Sequence, residues 1–209
     1  MSSYLVDLIG SFQTGPLVLE ARGIYTPGNK ARDNLAQSIR YYQPLSMDGG
    51  YYARWAAILA NGDVDYFNSN LLTNQGRIIG YDRYGRASIG VKATYNITPA
   101  FNVYAWLTQM WTAEEVDTDT GATPGLGAGS VSRTTLNDKS WVEGDSRNVG
   151  TEVDLGFQWR FAPNTVFELQ GAYLFAGNAL ATAEVLNGVH TRQDARDGYM
   201  LGAKVRLAF

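Results

Sequence analysis

The chain has 209 residues, a formal net charge of -3 and no cysteine. The absence of cysteine excludes disulfides, cysteine-based zinc sites and haem-attachment motifs. The slightly acidic balance provides no basic field that would attract nucleic acid, so we expect no nucleic-acid partner. The high content of glycine (23), tyrosine (13) and phenylalanine (8) favours an all-β fold over a helical one.

Alternating apolar and polar residues predict two hairpins in the first half of the chain. The segments YLVDLIGSF and PLVLEARGIY, joined by QTG, place Asp7, Glu20 and Arg22 on one polar face. The segments RASIGVKATYN and FNVYAWLTQMW, joined by ITPA, repeat the pattern with Lys92 on the polar face. A helix would not keep this period of two over so many residues.

The second half predicts one more hairpin and a final strand. GTEVDLGFQWRF and TVFELQGAYLF are joined by APN and share an apolar face of aromatic and branched residues. Glu152, Asp154, Arg160 and Glu168 occupy the opposite face. The last strand, YMLGAKVRLAF, keeps the same alternation to the end of the sequence.

Short turns alternate with long polar connections at about 26–80, 114–149 and 178–197. Short periplasmic turns and long external loops are typical of outer-membrane barrels, and strands of ~9 to 11 residues cross a bilayer when tilted. We therefore predict that residues 1–209 form an antiparallel transmembrane β-barrel of about seven or eight strands, or the C-terminal part of a larger one. It would lie in the lipid and lipopolysaccharide of a Gram-negative outer membrane.

The charged face is predicted to line the lumen, since a membrane barrel turns its apolar face outward. A soluble lipocalin-like barrel with the opposite orientation is the alternative, because alternation alone does not distinguish the two. Aromatic residues near the strand ends favour the membrane: Tyr25, Tyr95, Phe101, Trp111, Phe161, Phe175, Tyr199 and Phe209. The predicted lumen-lining residues are Asp7, Glu20, Arg22, Lys92, Glu152, Asp154, Arg160, Glu168, Lys204 and Arg206.

These charges have two interpretations. They either pair across neighbouring strands and hold the sheet in register, or they shape the path of a solute. In the second case Arg160, Lys204 and Arg206 would guide it, although the strand between them prevents direct contact.

The terminal YMLGAKVRLAF resembles the C-terminal signal strand of bacterial outer-membrane proteins, which ends on an aromatic residue read by the barrel-assembly machinery. The resemblance implies that machinery as a partner. It also implies an assembly signal formed by Tyr199, Leu201, Val205, Leu207 and Phe209. The hairpin GTEVDLGFQWRFAPNTVFELQGAYLFAGNAL is similar to the penultimate hairpin of the alginate-export and related porin-like families, where a Gly-x-Glu-x-Asp strand precedes a Glu-Leu-x-x-Gly strand.

The number of predicted strands is odd, whereas bacterial single-chain barrels have an even number. Residues 1–25 also lack the basic region and cleavage site of a signal peptide. We therefore expect that the strand Tyr4 to Phe12 does not pair with Tyr199 to Phe209. An upstream segment or a second chain would then complete the barrel.

Three segments invite other functions. Asp117 and Asp119 begin like a calcium loop, but later ligands are missing. His190 beside Asp194 could serve a hydrolase at the rim, yet no nucleophile motif accompanies it. The segment ARWAAILA, with Arg40 and Arg54 nearby, predicts a short helix that packs on other loops or narrows the pore mouth.

The predicted function is a porin-like outer-membrane channel for passive passage of hydrophilic solutes. No catalytic residue, metal or cofactor is expected. The alternative is a membrane-anchored structural or interaction barrel whose external loops bind a partner or a surface.

Overall fold

A computed structural model describes residues 2–30, 33, 38–42, 56–59, 84–116, 146–186 and 189–208. For residues 182–193 the description is confined to the backbone of 182–186 and 189–193. The segment at Asp117 and Asp119 that begins like a calcium loop, the side chain of His190, and residues Arg54 and Phe209 lie outside it.

The described chain is all-β and antiparallel, as predicted. Its strands are β1 (Val6–Thr14), β2 (Leu17–Thr26), β3 (Arg86–Thr98), β4 (Phe101–Val116), β5 (Ser146–Ala162), β6 (Thr165–Ala176), β7 (Thr182–Leu186), β8 (Val189–Gln193) and β9 (Gly198–Leu207). Seven of them form one sheet in the order β1-β2-β3-β4-β5-β6-β9, while β7 and β8 form a separate hairpin. None of the helical segments in the described ranges has the length and apolar character needed to cross a membrane.

Three predicted boundaries are corrected. β4, with 16 residues, ends at Val116 and β5, with 17 residues, begins at Ser146, so they take a few residues from each end of the connection predicted as about 114–149. The connection predicted as 178–197 contains a 3-10 turn (Asn178–Leu180) and the β7–β8 hairpin. The first strand runs from Val6 to Thr14 because the tight turn falls at Gly15 and Pro16, where Gly15 has a φ of 54° that glycine adopts without strain.

The register gives the sheet one apolar and one polar face. A row of paired residues crosses five strands on the apolar face, from Val91 through Leu107, Val153 and Tyr173 to Tyr199. All five side chains are exposed, Tyr199 by 85%. We call this side the apolar face.

The opposite side of the same rows, the polar face, carries the charged and amide residues. Lys92 pairs with Trp106, and Trp106 pairs with Asp154. Trp106 and Asp154 are buried although one is amphipathic and the other charged. Around these rows the sheet therefore buries its polar face and exposes its apolar face, which is the inverse of a soluble barrel.

The edges of the sheet are β1 and β9. The pairing found in the described ranges includes no ladder between them, so the sheet is not closed there. Six antiparallel steps separate the two edge strands, and they consequently run in the same direction. This agrees with the expectation that Tyr4 to Phe12 does not pair with Tyr199 to Phe209.

Candidate functional site

Three ion pairs connect neighbouring strands on the polar face. Arg22 makes two hydrogen bonds to Asp7, from Nε at 2.9 Å and from the terminal nitrogen at 2.8 Å. Its side chain is 7% exposed. Lys92 lies 3.5 Å from Glu20.

The third pair joins Lys204 on the edge strand β9 to Glu168 on β6 at 3.7 Å. Six of the predicted lumen charges thus pair across strands, as the first interpretation of these charges proposed. The guiding role of the remaining cations stays a prediction. Val166 on β6 pairs with Arg160 on β5 and with Arg206 on β9. Both arginines are exposed and lie near the short-turn end of the sheet.

An aromatic bridge crosses the polar face between these pairs. The rings of Tyr104 and Trp106 stack at 4.8 Å with an interplanar angle of 6°. The Nζ atom of Lys92 lies 5.9 Å from the first ring centroid and 5.5 Å from the second. The Tyr104 hydroxyl donates a 2.9 Å hydrogen bond to Glu168. Because Tyr104 is on β4 and Glu168 on β6, the side chain passes over the strand between them.

Gly156 makes this crossing possible. It is the β5 partner of Tyr104, and a Cβ at this position would lie 2.5 Å from the tyrosine Cζ and hydroxyl oxygen. A glycine on a strand commonly marks a close approach of this kind. Sequence reasoning did not find Tyr104 and Trp106. Two signals were available. Tyr104 and Trp106 alternate along β4 with the apolar residues and so belong to its polar face, and the neighbouring strand has a glycine at position 156.

Glu152 and Asp154 form the most buried charged pair of the site. Both have 0% exposure and lie two residues apart on β5, so their side chains project from the same face. Both were predicted to line the lumen, and the structure places them on the polar face.

A four-residue segment docks on this acidic pair. The main-chain N–H of Ile58 donates to Glu152 Oε1 at 2.6 Å, and that of Leu59 donates to Oε2 at 2.7 Å. The N–H of Ala57 donates to Asp154 Oδ1 at 3.1 Å. We call residues 56–59 the docked segment. It forms a turn, so the helix predicted for ARWAAILA is not found in these four residues.

Apolar contacts accompany the hydrogen bonds. Ile58 is 4% exposed and packs with Ala172 and Leu174 of β6. Ala56 belongs to a second cluster with Met110 of β4. The segment therefore packs against the polar face of the sheet, whereas the sequence predicted packing on other loops or a narrowing of the pore mouth.

In the described part of the chain, the acidic pair has no cationic partner. Among the residues that the structure describes, no lysine or arginine forms an ion pair with Glu152 or Asp154. The side-chain amide of Gln170 donates to Asp154 Oδ1 at 3.0 Å, while Asp154 Oδ2 is buried without a hydrogen-bond partner. Hydrogen bonds to charged acceptors contribute about 1.5–3 kcal/mol each, which offsets part of the cost of burying two carboxylates.

The connection that contains the docked segment is pinned at both ends. A Cβ on Gly28 would lie 2.1 Å from the carbonyl carbon of Tyr84, so the two stems touch. Buried Asn29 accepts hydrogen bonds from the N–H groups of Arg40, at 2.8 Å, and Tyr41. Arg40 is exposed, and no stacking surface around it is described.

Most of the predicted girdle and assembly residues in the described ranges are exposed, and their roles stay predictions. Of the girdle residues in the described ranges, Tyr25, Tyr95, Trp111, Phe161, Phe175 and Tyr199 are exposed, and Phe101 is half-buried. Leu201, Val205 and Leu207 follow Tyr199 along the apolar face of β9 and are likewise exposed. Asp194 is exposed, and the structure does not test its pairing with His190.

No protein-family model matches the chain, and no curated protein matches it. One solved structure is similar, that of the toluene transporter TbuX of Ralstonia pickettii, with 11% sequence identity and a TM-score of 0.34. The match covers 98% of this chain and 52% of the transporter, so the chain spans about half the length of that protein. Membership of the alginate-export family is not shown.

Proposed function

We propose that this chain forms part of the wall of a bacterial outer-membrane channel for hydrophilic solutes. The observation that supports it best is the inverted sheet, with an exposed apolar face and a buried polar face. Soluble monomers rarely expose contiguous apolar patches larger than a few hundred Å². Here the exposed apolar rows run across every strand of the main sheet, from Leu8 on β1 to Leu201 on β9.

Lipid is the environment that suits such a face. The strands are long enough to cross a bilayer, since ~9 to 11 tilted residues suffice and β1 to β6 and β9 contain between 9 and 17. The polar face would then face the lumen, where the paired charges stay hydrated. An alginate-export type of channel is one specific form of this proposal.

Closure of the wall requires further strands. An edge strand in hydrocarbon leaves unpaired N–H and C=O groups, each costing several kcal/mol. Because β1 and β9 run in the same direction, antiparallel closure needs an odd number of additional strands between them. We propose that an upstream segment of the polypeptide supplies them, with a second chain as the alternative source.

A photo-crosslinking residue in place of Tyr199 would identify the neighbour of β9. The expected product joins β9 to a segment outside residues 2–208. A crosslink from Tyr199 to β1 of the same chain would show that the seven strands close by themselves and would overturn this part of the proposal.

Two measurements test the channel itself. A nitroxide on Leu155, which is 61% exposed on the apolar face, should be more accessible to oxygen than to a water-soluble relaxant. The matched label on Gln158, three residues along the same strand and on the polar face, should show the reverse preference. Planar bilayers containing the assembled protein should conduct ions. A membrane-inserted protein without conductance would instead favour the structural or interaction barrel.

A further inference from the structure

The acidic pair on β5 is a ready-made site for a group with several N–H donors. Glu152 and Asp154 present four carboxylate oxygens, and the docked segment occupies three of them with main-chain N–H groups at 2.6, 2.7 and 3.1 Å. These donors are neutral, so two buried carboxylates remain without a positive partner in the described part of the chain. The fourth oxygen, Asp154 Oδ2, is buried and has no hydrogen-bond partner.

We propose that Glu152 and Asp154 form a binding site for the guanidinium or primary ammonium group of a solute, and that the docked segment is the internal occupant which the solute displaces. The proposal rests on the proposed channel function and specifies a class of solute for it, namely organic cations that carry N–H donors.

The chemistry favours such a group over the main chain. A guanidinium has five donors in a fixed fork and an ammonium has three, and a guanidinium can bind a carboxylate through two parallel hydrogen bonds. A cation would also neutralise the pair, which the amide groups do not. Gln170 would keep Asp154 oriented, since its amide already donates to Oδ1 at 3.0 Å.

The other acids of the polar face do not offer this arrangement. Asp7, Glu20 and Glu168 each have a basic partner, in Arg22, Lys92 and Lys204 respectively. A cationic solute would have to break one of these ion pairs in order to bind there. At Glu152 and Asp154 it would replace only neutral donors, so this is the preferred position on the described polar face.

Displacement also releases the segment from the sheet. Ile58 and Leu59 contribute apolar contacts with β6 and β9, through Ala172, Leu174 and Met200, but the three hydrogen bonds end on the two carboxylates. A solute bound there would remove all three acceptors at once. The segment would then leave the polar face, and Ala57, now half-buried, would become accessible.

The experiment uses the assembled protein in lipid vesicles, with Ala57→Cys as the one thiol added to these 209 residues, which contain no cysteine. The probe is the rate of alkylation by a hydrophilic maleimide with and without L-argininamide. We expect the rate to rise at least tenfold at saturation, because the loss of even one hydrogen bond to a charged acceptor corresponds to about a factor of ten and displacement breaks three. Choline, a cation without N–H donors, and glutamate, an anion, should leave the rate unchanged.

Variants locate the effect. Glu152→Gln in the same reporter should raise the basal alkylation rate and abolish the response to L-argininamide. Glu20→Gln removes a negative charge from the same face without touching the docked segment, so it should keep both the low basal rate and the response. If Glu152→Gln does not assemble, the proposal is still tested by the Ala57→Cys protein with native Glu152 and Asp154, through its alkylation rates with L-argininamide, choline and glutamate.

Three results would overturn the proposal: no change with L-argininamide, an equal change with choline, or an undiminished response in assembled Glu152→Gln. Bilayer conductance is measured on the same preparation. Conductance without a response to L-argininamide would support the channel and refute the cation site. A response to L-argininamide without conductance would support the cation site and refute the channel.

Discussion

Replacement of Gly156 by alanine should destabilise the sheet by breaking the aromatic bridge across β5. The new Cβ would lie 2.5 Å from the Tyr104 Cζ and hydroxyl oxygen and 2.6 Å from the main-chain oxygen of Leu169. These separations are far below van der Waals contact, so the tyrosine ring must move. Its movement breaks the 2.9 Å hydrogen bond to Glu168.

The expected size follows from two contributions. Overpacking of a close contact costs about 1–3 kcal/mol, and loss of a hydrogen bond to a charged group costs about 1.5–3 kcal/mol. The two overlap, because a ring that moves away relieves the clash. We therefore expect Gly156→Ala to lower the free energy of unfolding by about 2–4 kcal/mol, measured by urea titration of the lipid-inserted protein.

Gly202→Ala is the matched control. Gly202 also lies on the polar face, and the nearest heavy atom to its added Cβ is a Met200 carbon at 4.0 Å. This variant should change the free energy of unfolding by less than about 0.5 kcal/mol. In a Tyr104→Ala background, the cost of Gly156→Ala should fall to what the contact with the Leu169 oxygen alone imposes. A cost that is unchanged by Tyr104→Ala, or no cost at all, would refute the aromatic bridge.

Three further predictions concern lipid contact, assembly and strand pairing. Leu155→Arg on the apolar face should lower the free energy of unfolding from lipid by about 2–4 kcal/mol if it lies near the midplane, whereas Gln158→Arg on the polar face should have little effect. Deletion of Phe209 should reduce the amount of heat-modifiable, membrane-inserted protein in cells, and an unchanged yield would contradict its role in assembly. Asp7→Asn should destabilise β1 by about 1–3 kcal/mol, because it weakens both hydrogen bonds from buried Arg22. Faster amide exchange confined to β1 and β2 would show this effect.

Much of the sheet could be predicted from the sequence because its signals are local. The period of two fixes which side chains share a face, and the short turns fix which strands are neighbours. The pair Asp7–Arg22 follows from these two facts alone. The pair Glu20–Lys92 does not, because a long connection separates β2 from β3 and the sequence does not show that the two strands are neighbours. The ends of β4 and β5 could not be predicted, since the strands continue through polar residues such as Glu114 and Asn148 that resemble loop sequence.

The docked segment lay beyond sequence reasoning for a different reason. Its contacts join residues 93 to 97 positions apart, and the donors are main-chain N–H groups that leave no trace in residue type. The prediction for ARWAAILA, packing on other loops or narrowing of the pore mouth, came from its apolar character and did not place residues 56–59 against the acidic pair. Their turn is not the predicted helix. The acidic pair was placed on the correct face, but nothing in the local pattern distinguished it from the paired acids.

The docked segment depends on the acidic pair for its attachment, whereas the sheet does not depend on the pair for its folding. The sheet does not need Glu152, because its strand is held by main-chain ladders to β4 and β6 on both sides. The docked segment does need it, because two of its three hydrogen bonds to the pair end on that carboxylate. Loss of the carboxylate would therefore leave buried N–H groups without acceptors, at about 1–3 kcal/mol each, and this cost falls on the segment. A segment whose attachment is separable from the stability of the wall can leave the polar face while the wall stays folded. The two carboxylates can thus stay fixed in a rigid sheet while their contact with the docked segment is exchanged.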